Sequence, residues 1–193
     1  MRTELTPETR AAISRLEERI ERLEEERRGG ERRDRIEKVD LVCFSGEWDR
    51  LFAAFTIANG ALAMGQEVHM FFTFWAAAAI RDVRCGGRGG TFMDKMIRRM
   101  LPGGVDRAPL SKLNWGGLGK IFLRRRMRQA NVGSIEEMMK QAEEMGAHFH
   151  LCDTSASILG LGDTELLVGG GVDRCGVATF LSEASRRSLV LFI

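Results

Sequence analysis

Val39-Asp40-Leu41-Val42-Cys43-Phe44-Ser45 (VDLVCFS, residues 39–45) is the stretch whose reading decides the architecture. A short, nearly continuous apolar run marks a strand buried on both faces, as in parallel sheets. Trp48 to Met64 follows, with Leu51, Phe52, Phe55, Ile57, Ala58 and Leu62 on a broad apolar helical face. Gly65 caps that helix, and Glu67 to Phe74 reads as a second strand. Strand, helix and strand joined by short turns make a right-handed β–α–β unit and predict a doubly wound, parallel sheet.

Working outward, Thr91 to Leu101 predicts a methionine-rich helix broken by Pro102-Gly103-Gly104, and Ile121 to Gln129 a basic helix. Ser134 to Met145 predicts an amphipathic helix with Ser134 and Glu137 in capping-box positions. Ala147 to Cys152 predicts a third strand, Thr154 to Leu159 a helix and Leu166 to Val168 a short strand or helix end. Cys175 to Ala184 predicts a final helix and Leu189 to Ile193 a terminal buried strand. The class is α/β: an α/β/α sandwich on four or five mostly parallel strands.

Residues 1–37 form a separate charged arm, and 38–193 the domain. Thr6 suits an N-cap, Pro7 the first helical position, and Gly29-Gly30 the end of the helix. Ile13, Leu16, Ile20 and Leu23 are spaced 3, 4 and 3 residues apart, a short coiled-coil-like seam. It serves oligomerisation, folds back on its own domain, or belongs to a partly frayed solvated tail. The arm lacks the apolar core of an export signal, and no apolar run reaches the roughly 20 residues a membrane span needs.

Net charge is +2 and aromatics are 7%, with no tyrosine, so nucleic-acid binding is not expected. No GxxxxGK[ST] exists, and the turn after the first strand reads Ser45-Gly46-Glu47-Trp48 rather than GxGxxG. Nucleotide-binding and P-loop readings fail on both glycines and context. No GxSxG elbow is present. The cysteines, Cys43, Cys85, Cys152 and Cys175, show no CxxC spacing and read as reduced thiols in a cytoplasmic protein.

Cys152 stands out as the catalytic candidate. It ends a buried strand just before a helix, at the sheet edge where open α/β folds bind ligands. Helix amides there stabilise a thiolate, the form that attacks sulfur, whereas Asp153 opposes it unless it points away. A buried filler thiol is the plainer alternative. Cys85, flanked by Arg84 and Arg88 in RCGGRGG, and Cys175 are secondary thiol candidates, and Cys43 reads as core. His148, His150 and Cys152 share one strand face, but residues two apart on a strand are about 6.5–7 Å apart, too far to converge easily on one ion. No metal and no cofactor are expected, and His150 either tunes the thiol or is simply satisfied in place.

Lys120, Arg124, Arg125, Arg126 and Arg128 crowd one helix, a docking patch for an acidic partner or lipid headgroups, or a solvated face. Met93, Met96, Met100, Met127, Met138, Met139 and Met145 suit adaptable packing at an interface or lid. Candidate binding residues are Ser45 and Gly46 after the first strand, and Asn114, Gly116, Gly117 and Gly119 in the glycine-rich middle.

Several blocks carry a family resemblance. They are Val42-Cys43-Phe44-Ser45-Gly46, Ala58-Asn59-Gly60-Ala61, Phe71-Phe72-Thr73-Phe74-Trp75, Leu101-Pro102-Gly103-Gly104, Asn114 with Gly116-Gly117-Leu118-Gly119, Gly176-Val177-Ala178-Thr179-Phe180 and Leu191-Phe192-Ile193. Residues 38–193 thereby resemble the DsrE/DsrF/DsrH-like family of sulfur-relay proteins, in the branch often labelled peroxiredoxin-like, although the sequence does not support peroxidase activity. The resemblance implies a flavodoxin-like three-layer fold, oligomers, and a cysteine persulfide carrier. That role carries to Cys152. The methionine-rich stretch usual after that cysteine is replaced by Asp153-Thr154-Ser155-Ala156-Ser157-Ile158-Leu159-Gly160, and Cys175 stands where glycine is usual. The expected function is an intracellular sulfur carrier or sulfurtransferase with sulfur-donor and sulfur-acceptor partners and a homo-oligomeric state. The alternative is a non-catalytic oligomeric module binding a small ligand or a membrane-associated partner peripherally.

Overall fold

Strands β1 (Lys38–Cys43), β2 (Glu67–Phe72), β3 (His148–Cys152), β4 (Val172–Cys175) and β5 (Ser188–Phe192) pair in parallel in the order β4-β3-β2-β1-β5. The computed structural model describes residues 7–34, 36–81, 91–101, 103–161, 172–184 and 187–193. The chain divides into two compact units, Met1–Ile36 and Glu37–Ile193.

The pleat sorts the strands' side chains into two unlike faces. Leu41, Met70 and Phe149 align on one, as do Cys43, Phe72 and Leu151. This apolar face is covered by α2 (Trp48–Ala63) and α6 (Ile135–Glu144), which contribute Leu51, Ala54, Phe55, Ile135 and Met139 to the main core. Phe55 lies 6.2 Å from Phe72 and 6.4 Å from Phe149, ring to ring. Burying an aromatic this completely stabilises a fold by about 2–3 kcal/mol. The opposite face carries Lys38, Asp40, Val42, His69, Phe71, His150 and Cys152, and α8 (Val177–Ser182) lies against it through Phe180, stacked 4.8 Å from Phe71. Helices therefore flank both faces of the sheet, an α/β/α arrangement.

The capping box of α6 is present, with the Glu137 amide donating to Ser134 Oγ and the Ser134 amide to Glu137 Oε2. A second box, Thr91 with Asp94, opens α4 (Phe92–Met100). The terminal strand is not buried as expected: β5 is an edge of the sheet, with Leu189, Val190 and Phe192 exposed. Four further expectations need correction. The second strand stops at Phe72, because Thr73 turns the chain into α3 (Phe74–Ala79), with Phe74 at φ 46 and the Ala76 amide donating to Phe44 O. Cys175 ends a strand rather than opening a helix; β4 is the exposed edge strand VDRC, whose charges hide it from any apolar-run reading. Gly29-Gly30 does not end α1, which runs Pro7–Asp34 with Ile13, Leu16, Ile20 and Leu23 exposed. Two mid-helix glycines cost only about 1 kcal/mol each. The last correction concerns the basic patch on α5 (Leu118–Gln129). Lys120 is buried beneath that helix, with Nζ donating to the carbonyls of Ala108 at 2.8 Å and Asp106, 5.9 Å from the Trp48 ring. Thr6, the RCGGRGG segment, Pro102 and Leu166–Val168 lie outside the described residues.

Lys120 thus ties the 105–108 turn to α5. Lys120→Met leaves those carbonyls without their charged donor and is expected to destabilise the domain by about 2 kcal/mol. Thermal unfolding should show Tm lower by roughly 4–8 °C. An unchanged Tm would mean that the lysine is not structural.

Candidate functional site

The sheet's C-terminal edge brings two thiols together. Cys152, the last residue of β3, and Cys175, the last of β4, are register partners and point to the same face. Phe71, Phe180 and Val42 pack around them. Cys152 is buried, and it is the N-cap of α7 (Asp153–Ile158). Thr73, just beyond β2, bonds Ser155 hydroxyl to hydroxyl at 2.8 Å, so both side chains are held beside the sulfur.

The electrostatics make the two thiols unlike. Burial pushes the Cys152 thiol up, but the Ser155 hydroxyl and amide, the Thr73 hydroxyl and the Thr154 amide outweigh it, and the net pKa lies below the ordinary thiol value. Such donors favour the thiolate because they bond the charged form more strongly. Cys175 goes the other way: burial raises it, and Glu183, Cys152 and Asp173 add to the rise. Cys43, sealed in the main core, is pushed up to about 12 by burial. Asp153, the neighbour expected to oppose the thiolate, alternates to the other side of the chain, where its Oδ1 pairs with Arg174 Nη2 at 3.1 Å.

The other predicted site residues do not converge here. Ser45 Oγ bonds Glu47 Oε2 at 3.0 Å, and the Ser45 turn follows β1, two strands from β3 or about 9.6 Å. A Cβ on Gly46 would lie 2.4 Å from Trp75 O, so this glycine permits a close backbone approach. Gly119 is similar: a Cβ would lie 1.9 Å from Leu113 O. Gly116 and Gly117 adopt positive φ of 66° and 99°, and Asn114 accepts from the Gly117 amide through its carbonyl. These glycines give the loop its close approach and its left-handed turns. With Asp49, Leu110, Leu113, Trp115 and Phe122, Gly119 lines an apolar cavity of about 730 Å³. Cys85 lies outside the described residues. His150 does not reach for the thiol; its Nε2 lies 3.0 Å from Nδ1 of His69, a histidine that sequence reasoning passed over as one polar letter in an apolar strand.

Cys152 and Cys175 sit on adjacent parallel strands, where directly opposed Cα atoms are about 4.7–4.9 Å apart, inside the range a disulfide accepts. Mild oxidation with diamide is therefore expected to consume both thiols and give a 152–175 disulfide in non-reducing peptide maps. Cys175→Ser should retain a titratable Cys152. A wild-type map with the two thiols still free would contradict the juxtaposition.

Fold and site together define a parallel α/β protein with a thiolate-favouring cysteine at the carboxyl edge of its sheet. Residues 35–192 match the model of the DsrE/DsrF/DrsH-like family, and the chain belongs to that family. It is 36% identical over 160 residues to the Bacillus subtilis (strain 168) protein named Uncharacterized protein YrkE, covering 83% of this chain and 99% of that one. It is 24% identical over 165 residues to Sulfur carrier protein DsrE2 of Allochromatium vinosum, covering 81% and 98%. The crystal structure of the ychN protein from E. coli aligns with TM-score 0.43 at 14% identity, over 81% of this chain and 99% of that one. Among the described residues no helix is long and apolar enough to cross a membrane.

Proposed function

We propose that this protein carries sulfur as a persulfide on Cys152 inside a reducing cytoplasm. The observation behind this reading is the opposed pair of environments: hydrogen bonds from Ser155, Thr73 and Thr154 favour the Cys152 thiolate, while Cys175 beside it is held protonated. Membership of a family that includes a sulfur carrier supports it. The Cys152 thiolate attacks the terminal sulfur of a donor persulfide, R–S–SH. A new S–S bond forms on Cys152, the donor S–S bond breaks, and R–S⁻ leaves, so atoms and charge balance. An acceptor thiolate then takes the terminal sulfur and regenerates the Cys152 thiolate.

A homo-oligomer fits the surface. Phe44, Phe74, Trp75 and Phe192 are all exposed and form one aromatic cluster, with Phe44 5.6 Å from Phe74 and 5.9 Å from Phe192. Clustered exposed aromatics mark interaction surfaces.

The test is intact mass spectrometry after incubation with a protein or small-molecule persulfide donor. Wild type gains one sulfur, reversibly under thiol reductant; a wild type left unmodified while a control carrier loads would sink the proposal. The second reading, a ligand- or partner-binding module, rests on the apolar cavity by Trp115 and on α5, where exposed Ile121 and Phe122 adjoin exposed Arg125, Arg126 and Arg128. A ligand retained through purification, with inert thiols, would favour it.

A further inference from the structure

We propose a divalent transition-metal site of the zinc type on the face that carries Cys152, with His69 Nδ1, His150 Nε2 and Glu183 Oε2 as ligands. These three atoms lie within 4.8 Å of one another. His69 Nδ1 is 3.0 Å from His150 Nε2 and 3.8 Å from Glu183 Oε2. Around a tetrahedral zinc with bonds of about 2.0–2.2 Å, neighbouring ligand atoms sit roughly 3.3–3.5 Å apart. Small side-chain rotations bring the three into that spacing.

The support around His69 is that of a metal-ligand histidine. Its other nitrogen, Nε2, lies 2.7 Å from Glu67 Oε1. A carboxylate there takes the Nε2–H, so the tautomer leaves the Nδ1 lone pair free, the usual outer-sphere device behind a ligating imidazole. Glu67 is held below its ordinary pKa by that hydrogen bond, consistent with a standing carboxylate. His148 stacks on the His69 ring with centroids 4.6 Å apart, limiting its rotation. In the metal-free state His150 donates its Nε2–H to His69 Nδ1. Binding frees that nitrogen by a tautomer shift that places the proton on His150 Nδ1. Burial and then the neighbouring His69 hold His150 below its usual pKa, which favours its neutral, ligating form.

Both histidines are buried, whereas Glu183 is half-exposed at the C-cap of α8. Lys38 Nζ donates to the Glu183 backbone carbonyl at 3.2 Å and pairs with Asp40 at 3.4 Å, which orients Glu183 and offsets the lysine's positive charge. Two histidines and one carboxylate leave a fourth position for water, the open-site pattern. The alternative grouping, Glu67, His69 and His148, uses His69 Nε2 and would strip away the orienting carboxylate. An ion in the proposed place links β2, β3 and the end of α8, and so pins Phe180 over the thiol pair. This constellation crosses two strands, unlike the His148–His150–Cys152 row along one strand that spacing disfavours.

The test titrates metal-stripped full-length protein with Co(II) under anaerobic reducing conditions. One equivalent should bind with the intense d–d absorption of a four-coordinate N/O site and raise Tm, and Zn(II) should displace it. His69→Gln and His150→Gln should lose the band. Glu67→Gln should weaken binding about 10–100-fold. Cys152→Ala should keep it unchanged, and His148→Gln should keep the band with somewhat weaker affinity, because only the stacking on His69 is lost. If the two ligand variants fail to fold by circular dichroism, Glu183→Gln and Glu67→Gln decide by their affinities. No stoichiometric binding overturns the proposal, as does binding unchanged in these variants. A sulfur-to-cobalt charge-transfer band lost in Cys152→Ala also overturns it, by placing the ion on the thiols.

Discussion

Cys152→Ala is expected to take up no sulfur from a persulfide donor under conditions where wild type gains one atom and Cys43→Ala still loads. The contrast follows from ionisation. With its pKa pushed up to about 12, Cys43 is a thiolate in only about one molecule in 10⁵ at pH 7. Cys152 has the donors that Cys43 lacks. Rates of attack on sulfur scale with the thiolate fraction, so loss of Cys152 removes the reactive population rather than trimming it. Cys175→Ser should load as well, since its thiol is held protonated by burial and by Glu183. Loading that survives in Cys152→Ala and vanishes in Cys175→Ser would reverse the assignment.

The second large effect concerns the hydroxyls. Thr73→Val with Ser155→Ala removes two of the groups that stabilise the Cys152 thiolate and leaves burial, which favours the thiol. The pKa of Cys152 must rise, and the thiolate fraction at any pH below it must fall. A charge-assisted hydrogen bond contributes about 1.5 kcal/mol or more, so alkylation of Cys152 by iodoacetamide at pH 7 should slow roughly tenfold. The pH–rate profile, followed on the peptide that contains Cys152, should move to higher pH, and the two proteins should converge in alkaline solution where both are ionised. An unshifted profile would show that the hydroxyls do not tune the sulfur.

Most of the scaffold is readable from local pattern. VDLVCFS, the Leu51–Phe55–Leu62 face and the Ser134–Glu137 box each carry their signal within a few residues, and they become β1, α2 and α6. Strand-end placement of Cys152 is readable for the same reason. What escaped depends on partners far along the chain. β4 has charged Asp173 and Arg174 in an edge strand of four residues, so its hydrophobic pattern is absent. Its neighbour relation to β3, which sets Cys175 against Cys152, exists only in the sheet. His69 and His150 are 81 residues apart and meet through the β2–β3 register. Thr73 reads as a strand residue until Phe74 takes positive φ and turns the chain, which is what places the hydroxyl beside Ser155. The glycines around Asn114 supply a close approach and left-handed turns, roles that only the folded backbone shows.

Peptide-resolved mass spectrometry of the loaded wild-type protein, digested without reductant after blocking free thiols, bears most directly on the central claim. One added sulfur is expected on the peptide containing Cys152, lost on reduction, with Cys43 and Cys175 blocked as ordinary thiols. Added sulfur on another cysteine peptide while Cys152 is found free, or none on any, would contradict it.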